Sequence, residues 1–181
     1  MEKIKKAVRT CDKINQWMGS VVVTTALFTF ILVIASNVIM RYAFNTSFVF
    51  MAELEWHLFA FVFLMGAGFT LLHDAHVRVD VVYSLLGKRK QAWVNLVGVF
   101  LFLIPSCYLV LTTSIPWVID AYEVGEVSID PGGIPARFII KAALPAGYLL
   151  MLLQGLLLGV KSALILSGNS LEDSGIEELR C

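Results

Sequence analysis

Four long apolar stretches alternate with short polar ones along this chain. Residues 17–40 carry no ionisable side chain over 24 positions, enough at about 1.5 Å per residue to cross roughly 30 Å of hydrocarbon. Arg41 and Tyr42 close the stretch with a charge and an aromatic suited to the membrane interface. The second stretch runs from about residue 50 to 72, with Glu53, Glu55 and His57 near its start. Residues 58–72 alone are short for a crossing, so the acidic turn is placed at or just inside the interface. The third stretch, residues 91–119, lacks ionisable side chains for 29 positions, and Pro105 and Pro116 are expected to kink or end its helix. The fourth covers about residues 138–166 and contains Lys141, Pro145 and Lys161.

This pattern predicts an all-α integral membrane protein with four transmembrane helices over about 17–40, 52–72, 91–116 and 137–163. The four form one domain, residues 1–166, followed by a polar, flexible tail over 167–181. In the loop 73–90, Asp80 precedes Val81, Val82, Tyr83, Leu85, Leu86 and then Gly87. An Asp cap, an apolar turn or two and a closing Gly predict a short interfacial helix.

Composition agrees. Of 181 residues, 58% are hydrophobic and 15% charged, against about 45–50% and about 25% in a typical soluble domain. Mean hydropathy is +0.79. The formal net charge is zero, which argues against a basic nucleic-acid binder. The apolar content excludes an acidic disordered chain. The charges are sorted along the sequence. Residues 1–16 hold five Lys and Arg, the loop 73–90 holds four, and Lys161 and Arg180 add two. Arg41, Arg137 and Lys141 are the three on the other side. The excess places both termini and the 73–90 loop in the cytoplasm. Loops 41–52 and 119–136 then face outward, the second carrying Asp120, Glu123, Glu126 and Asp130.

Candidate chemistry is sparse. Cys11, Cys107 and Cys181 are odd in number and share no metal-ligand spacing. Cys107 reads as a small packed hydrophobe. Cys181, as last residue, cannot belong to a prenylation box. The basic start and long apolar run read as a retained signal anchor. His57 and the pair His73 and His76 fall at opposite ends of the second span, too far apart to share a haem iron. Glu53 and Glu55 are two apart and point to different faces, so they make a poor acid–base pair. They are candidates for pairing with a base, for an ion site, or simply for reaching outer water. Arg137 and Lys141, four apart at the head of the fourth span, can pair with those acids, attract an anion or snorkel. Ala143, Gly147, Gly155, Gly159 and Ala163 form a small-residue stripe that serves either internal packing or docking of another membrane protein. Neither a hydrolase, a metalloprotease nor a nucleotide-binding motif occurs. Gly132-Gly133 after Pro131 reads as a turn.

Several of these residues together carry a resemblance. They are Arg41-Tyr42, Glu53, Gly66-Ala67-Gly68, His73, the run His76-Val77-Arg78-Val79-Asp80, and Pro105. An outer-loop pattern follows, with Glu123, Ser128, Pro131-Gly132-Gly133 and Pro135, then Arg137 and Lys141. Over about residues 10–165 the chain resembles the small membrane subunit, DctQ-like, of tripartite ATP-independent periplasmic (TRAP) transporters. The resemblance implies a multi-pass protein of the bacterial inner membrane that is not an enzyme and holds no cofactor or metal. It implies a large membrane subunit, expected to hold sodium and move as an elevator, and a periplasmic solute-binding protein as partners, within the lipid bilayer. Uptake of an organic acid or related solute would be coupled to sodium. This chain would be a static scaffold. His76, Arg78 and Asp80 would fix the cytoplasmic loop, and Arg41 and Glu53 would lock subunits or shape the docking surface. Four helices are too few for alternating access alone, which agrees with a bracing role. The competing reading is a membrane anchor or haem-binding redox subunit of an unrelated complex. The two readings separate in a visible spectrum: the scaffold predicts purified protein without a Soret band, and a Soret band would favour the redox subunit.

Overall fold

The structure, a computed structural model, describes residues 2–73, 83 and 85–167, with side chains from residue 9 onward. Among these residues every regular element is helical. Helix α1 (Glu2–Trp17) passes through a π-helical segment, Met18–Val23, into α2 (Thr24–Ala43). Helix α3 is Val49–Leu72. Helix α4 (Lys88–Val97) continues through a second π-helical segment, Gly98–Leu103, into α5 (Ile104–Glu123), and α6 is Phe138–Leu166. Four of these stretches are long and apolar enough to cross a membrane: Arg9–Ala43, Val49–Leu72, Lys88–Glu123 and Phe138–Leu166. The chain is an all-α integral membrane protein.

The helices outrun the apolar stretches. The first begins well before residue 17, and the third reaches Glu123 instead of ending near Pro116. Pro116 lies inside α5 without stopping it. Pro105 sits in the first turn of α5, directly after the π-helical segment. A proline cannot donate to a carbonyl one turn back, and widening that turn lets the helix pass it. The interfacial helix expected after Asp80 lies largely outside the described residues. So do His76, Arg78, Asp80 and residues 168–181 of the expected tail.

The second and fourth spans form the middle of the molecule, with α3 packed along α6. The first span packs mainly on α3, and the third on α6. Most of the outward surface of the first and third spans is apolar and exposed. The core is made of small side chains: Cys107, Ala92, Ala121 and Ala143 are buried with Val99, Met65, Leu71 and Leu157. Cys107 is fully covered, as a small hydrophobe would be.

Most of the small-residue stripe of α6 is taken up by this packing, and Ala163 alone of its members is exposed. A Cβ at Gly147 would meet the Leu64 carbonyl of α3, and one at Gly155 would meet Leu103. Gly159 faces Val99 and Phe100 at ordinary contact distance. Gly155 and Gly159 therefore lie inside the subunit, because glycine lets the third span approach α6 closely. They are not an outer docking face. Gly19, in the first π-helical segment, likewise faces the Phe69 ring.

These contacts order the glycines. Gly147→Ala places a methyl against backbone and should lower stability by about 1–3 kcal/mol. Gly66 has only Val23 nearby, at 3.8 Å. Gly66→Ala should be neutral or stabilising by up to about 1 kcal/mol. Thermal unfolding of the purified variants in detergent checks both. Equal effects would refute this packing.

Candidate functional site

The outer end of the bundle is organised around a buried carboxylate. Glu53 lies one turn into α3 and is only 6% exposed. An unpaired carboxylate in such a place would be costly, so its oxygens need donors. The loop between α5 and α6 supplies them. The Ser128 hydroxyl donates to Oε1, and the Ile134 N–H donates to Oε2 over 2.5 Å. Arg137 adds a favourable charge interaction.

The loop sequence is built for this. Asp130-Pro131-Gly132-Gly133 closes with the Gly133 N–H donating to the Asp130 carbonyl over 3.0 Å. Proline presets the second position of such a turn, and the third needs a positive φ. Gly132 supplies it at 82°. Gly133 does something different: a Cβ there would run into Ser128 and Glu53 Oε2. One glycine makes the turn, and the next lets the turn close over the carboxylate. The Ser128 N–H donates to the Ile134 carbonyl over 3.3 Å, completing the hairpin.

A second tie holds the same loop to α6. Lys141 pairs with Glu126, and its ammonium lies 4.1 Å from the centre of the Trp117 ring. The Arg137 N–H donates to the Glu126 carbonyl over 3.0 Å. Ala136, just before it, adopts a left-handed φ of 60°, a strained conformation for a residue with a Cβ. The Arg137 guanidinium sits 5.6 Å from the centre of the Trp56 ring.

The sequence-level candidates therefore sort themselves. Glu53 does not reach outer water and does not pair directly with Lys141; its hydrogen-bond partners are in the loop. Glu55 accepts from Asn37 of the first span over 2.6 Å. His57 touches Glu53 through that residue's backbone carbonyl, at 2.6 Å from Nδ1. A carbonyl only accepts, so Nδ1 carries a proton; Nε2 is buried without a hydrogen-bond partner. His73, at the far end of α3, has Nε2 2.9 Å from Gln16 Oε1. Arg41 is exposed at the outer end of α2. Of the four acids expected in the outer loop, Asp120 and Glu123 lie instead in the last turn of α5; Glu126 is spent in the ion pair, while Asp120, Glu123 and Asp130 are exposed. Beside them Val124 and Ile129 stand 82% and 92% exposed, with Val127 also outward. No group of three or more metal-ligating side chains occurs among the described residues.

A second polar cluster, at the inner end, went unseen in the sequence. Asp12 and Asn15 of α1 and Gln154 of α6 are buried together. Gln154 accepts from Asn15 Nδ2 and donates to Asp12 Oδ1, each over 3.1 Å. Lys161 lies 3.5 Å from Asp12 Oδ2. Asn15 Oδ1 fits against Gly68, where a side chain would exclude it. Gln154, a lone amide in an apolar run, was the available signal; a polar group there needs a partner.

The arrangement is that of a membrane-embedded helical subunit pinned by polar contacts at both ends. Its wall presents an acidic and apolar loop outward. Comparison with known sequences supplies the family. Residues 30–162 match the profile of "Tripartite ATP-independent periplasmic transporters, DctQ component". The chain belongs to this family, and it is a small permease subunit of a TRAP transporter in the bacterial inner membrane. It is similar to the ectoine TRAP transporter small permease protein TeaB of Halomonas elongata, at 28% identity over 129 residues. That match covers 70% of this chain and 64% of the relative, just under two thirds of the latter's length. It is also 28% identical over 114 residues to a Haemophilus influenzae protein described as a TRAP transporter small permease, covering 62% of this chain and 68% of that one.

Glu53→Ala removes both acceptors and strands a backbone N–H. The hairpin 126–134 should open more readily, by about 1–3 kcal/mol, read as roughly 5- to 150-fold faster proteolysis of the loop at unchanged helical content. Glu53→Gln keeps one acceptor oxygen and should fall between. Wild-type protection in Glu53→Ala would show that the carboxylate does not hold the loop.

Proposed function

We propose that this chain is the static scaffold of a sodium-coupled, binding-protein-dependent transporter. It braces a large elevator subunit that carries the solute and sodium sites. It also helps form the outer surface on which a solute-binding protein docks. The solute is an organic acid or a related small polar molecule, and its selection falls to the other two components. The observation that carries this reading is the outer hairpin. Glu53 ties it to α3 and Lys141 ties it to α6. Asp130 in the hairpin and Asp120 and Glu123 at the end of α5 are exposed, as are Val124, Val127 and Ile129. A loop held that rigidly while showing apolar side chains to water suits recognition by a soluble partner with a basic, apolar surface.

Other features fit a bracing role. The inner cluster links α1 to α6, and the Asn37–Glu55 hydrogen bond links the first span to α3, all within this subunit. Arg41, exposed beside the hairpin's end of the bundle, belongs to the same outer surface. His76, Arg78 and Asp80 are assigned to the cytoplasmic loop as its fixing residues. The test is uptake in proteoliposomes containing this chain, the large subunit and the binding protein. Uptake should need all three and an inward sodium gradient. Undiminished uptake without this chain, or without sodium, would overturn the reading.

A further inference from the structure

The third span opens on three consecutive cations, Lys88, Arg89 and Lys90, in the first turn of α4. All three are exposed, and none is in an ion pair among the described residues. Lys141 and Lys161, by contrast, each lie beside an acid, Glu126 and Asp12. Arg9, Lys13 and Arg41 are exposed as well, but they stand apart from one another in the sequence. The elements around the triplet cannot neutralise it. Helix α4 contains no acidic residue, and neither does α6, on which it packs. Gly87, which caps α4, has no side chain to offer. The free N–H groups of a first helical turn add partial positive charge to the same place, so cations there are unfavourable on their own. Like charges in one turn also repel. An anion from outside the chain relieves both.

Depth selects the anion. Lys90 is followed directly by the uncharged stretch 91–119, so the turn stands at the edge of the hydrocarbon, at the level of lipid headgroups. Trp93 is exposed three residues further on, about 4.5 Å along the axis, and an indole belongs at that interface. Val94 and Val97 are exposed beyond it. At 100° per residue Arg89, Lys90, Trp93, Val94 and Val97 share the outward half of the helix. On the other side Ala92 and Val99 are buried, Val99 facing Gly159 of α6. Along the outward side, cations, an indole and aliphatic side chains therefore follow in the order of a phospholipid's phosphate, glycerol and acyl chain. A soluble phosphate or an acidic peptide would match the cations alone.

We infer that the start of α4 is a binding site for an anionic phospholipid of the cytoplasmic leaflet. Arg89 and Lys90 take its phosphate, Lys88 adds charge, and its acyl chain lies along Trp93 and Val97. The site requires only the membrane, whether or not this chain braces a partner subunit.

Native mass spectrometry of the purified chain, offered equal amounts of a phosphatidylglycerol and a phosphatidylcholine with the same acyl chains, tests this. The unmodified chain should retain phosphatidylglycerol several-fold over phosphatidylcholine. Arg89→Gln/Lys90→Gln should remove most of that preference at unchanged helical content, and Arg89→Lys/Lys90→Arg, which keeps the charge, should preserve it. Excess glycerol phosphate, a headgroup without acyl chains, should not displace the lipid. Equal retention of the two lipids by the unmodified chain overturns the assignment. So does full preference in Arg89→Gln/Lys90→Gln, or its loss in Arg9→Gln/Lys13→Gln alone. Displacement by glycerol phosphate overturns it in favour of a soluble anion. Absent lipid preference, together with lost recovery of the large subunit by Arg89→Gln/Lys90→Gln, overturns it in favour of a protein contact.

Discussion

A polar group inside or beside lipid has no water to turn to, and that single constraint orders this molecule. Glu53 shows it best. Its carboxylate is buried at the outer end of α3, so something must come to it. The chain answers with a loop that is 75 residues away in sequence at Ser128. Once Ser128 and the Ile134 N–H are on the carboxylate, the path of residues 126–134 is fixed. The start of α6 follows, because Arg137 and Lys141 are both tied to Glu126. The outer architecture is thus a consequence of satisfying one acid.

The inner end repeats the solution with different chemistry. Asp12, Asn15, Gln154 and Lys161 pair across α1 and α6. Between the two clusters the helices pack by shape. Glycines at 147, 155 and 159 bring α3 and the third span onto α6. Dispersion between closely approaching backbones, rather than a hydrophobic driving force, holds helices together in lipid. The polar clusters then set register, since a shift by one turn would strand Gln154 or Glu53. A subunit fixed at both ends in this way is suited to resisting movement.

Much of this was legible in the residues. Four apolar runs bounded by charges gave the spans, because hydrocarbon thickness sets their length. The Pro131-Gly132-Gly133 turn was readable from its residue types. The roles of single side chains were less so. Glu53 and Lys141 invited a direct pairing, yet each found a nearer partner in the loop, whose path no local rule specifies. The small-residue stripe admitted two uses, and only the positions of Leu64 and Leu103 showed that Gly147 and Gly155 serve internal packing. Gln154 carries no local sign of its role because its partners, Asp12 and Asn15, stand 142 and 139 residues earlier. Helix ends also moved, since Pro116 is accommodated within α5 and the first helix continues past its apolar run.

By itself, then, the sequence determined a membrane protein of four helices and the sides to which its charges sort. Both follow from transfer energetics that act residue by residue. Tertiary structure decided which polar groups meet, which glycines face inward and which surface is left over for a partner. Those outcomes depend on how distant segments pack, which no residue-by-residue rule supplies.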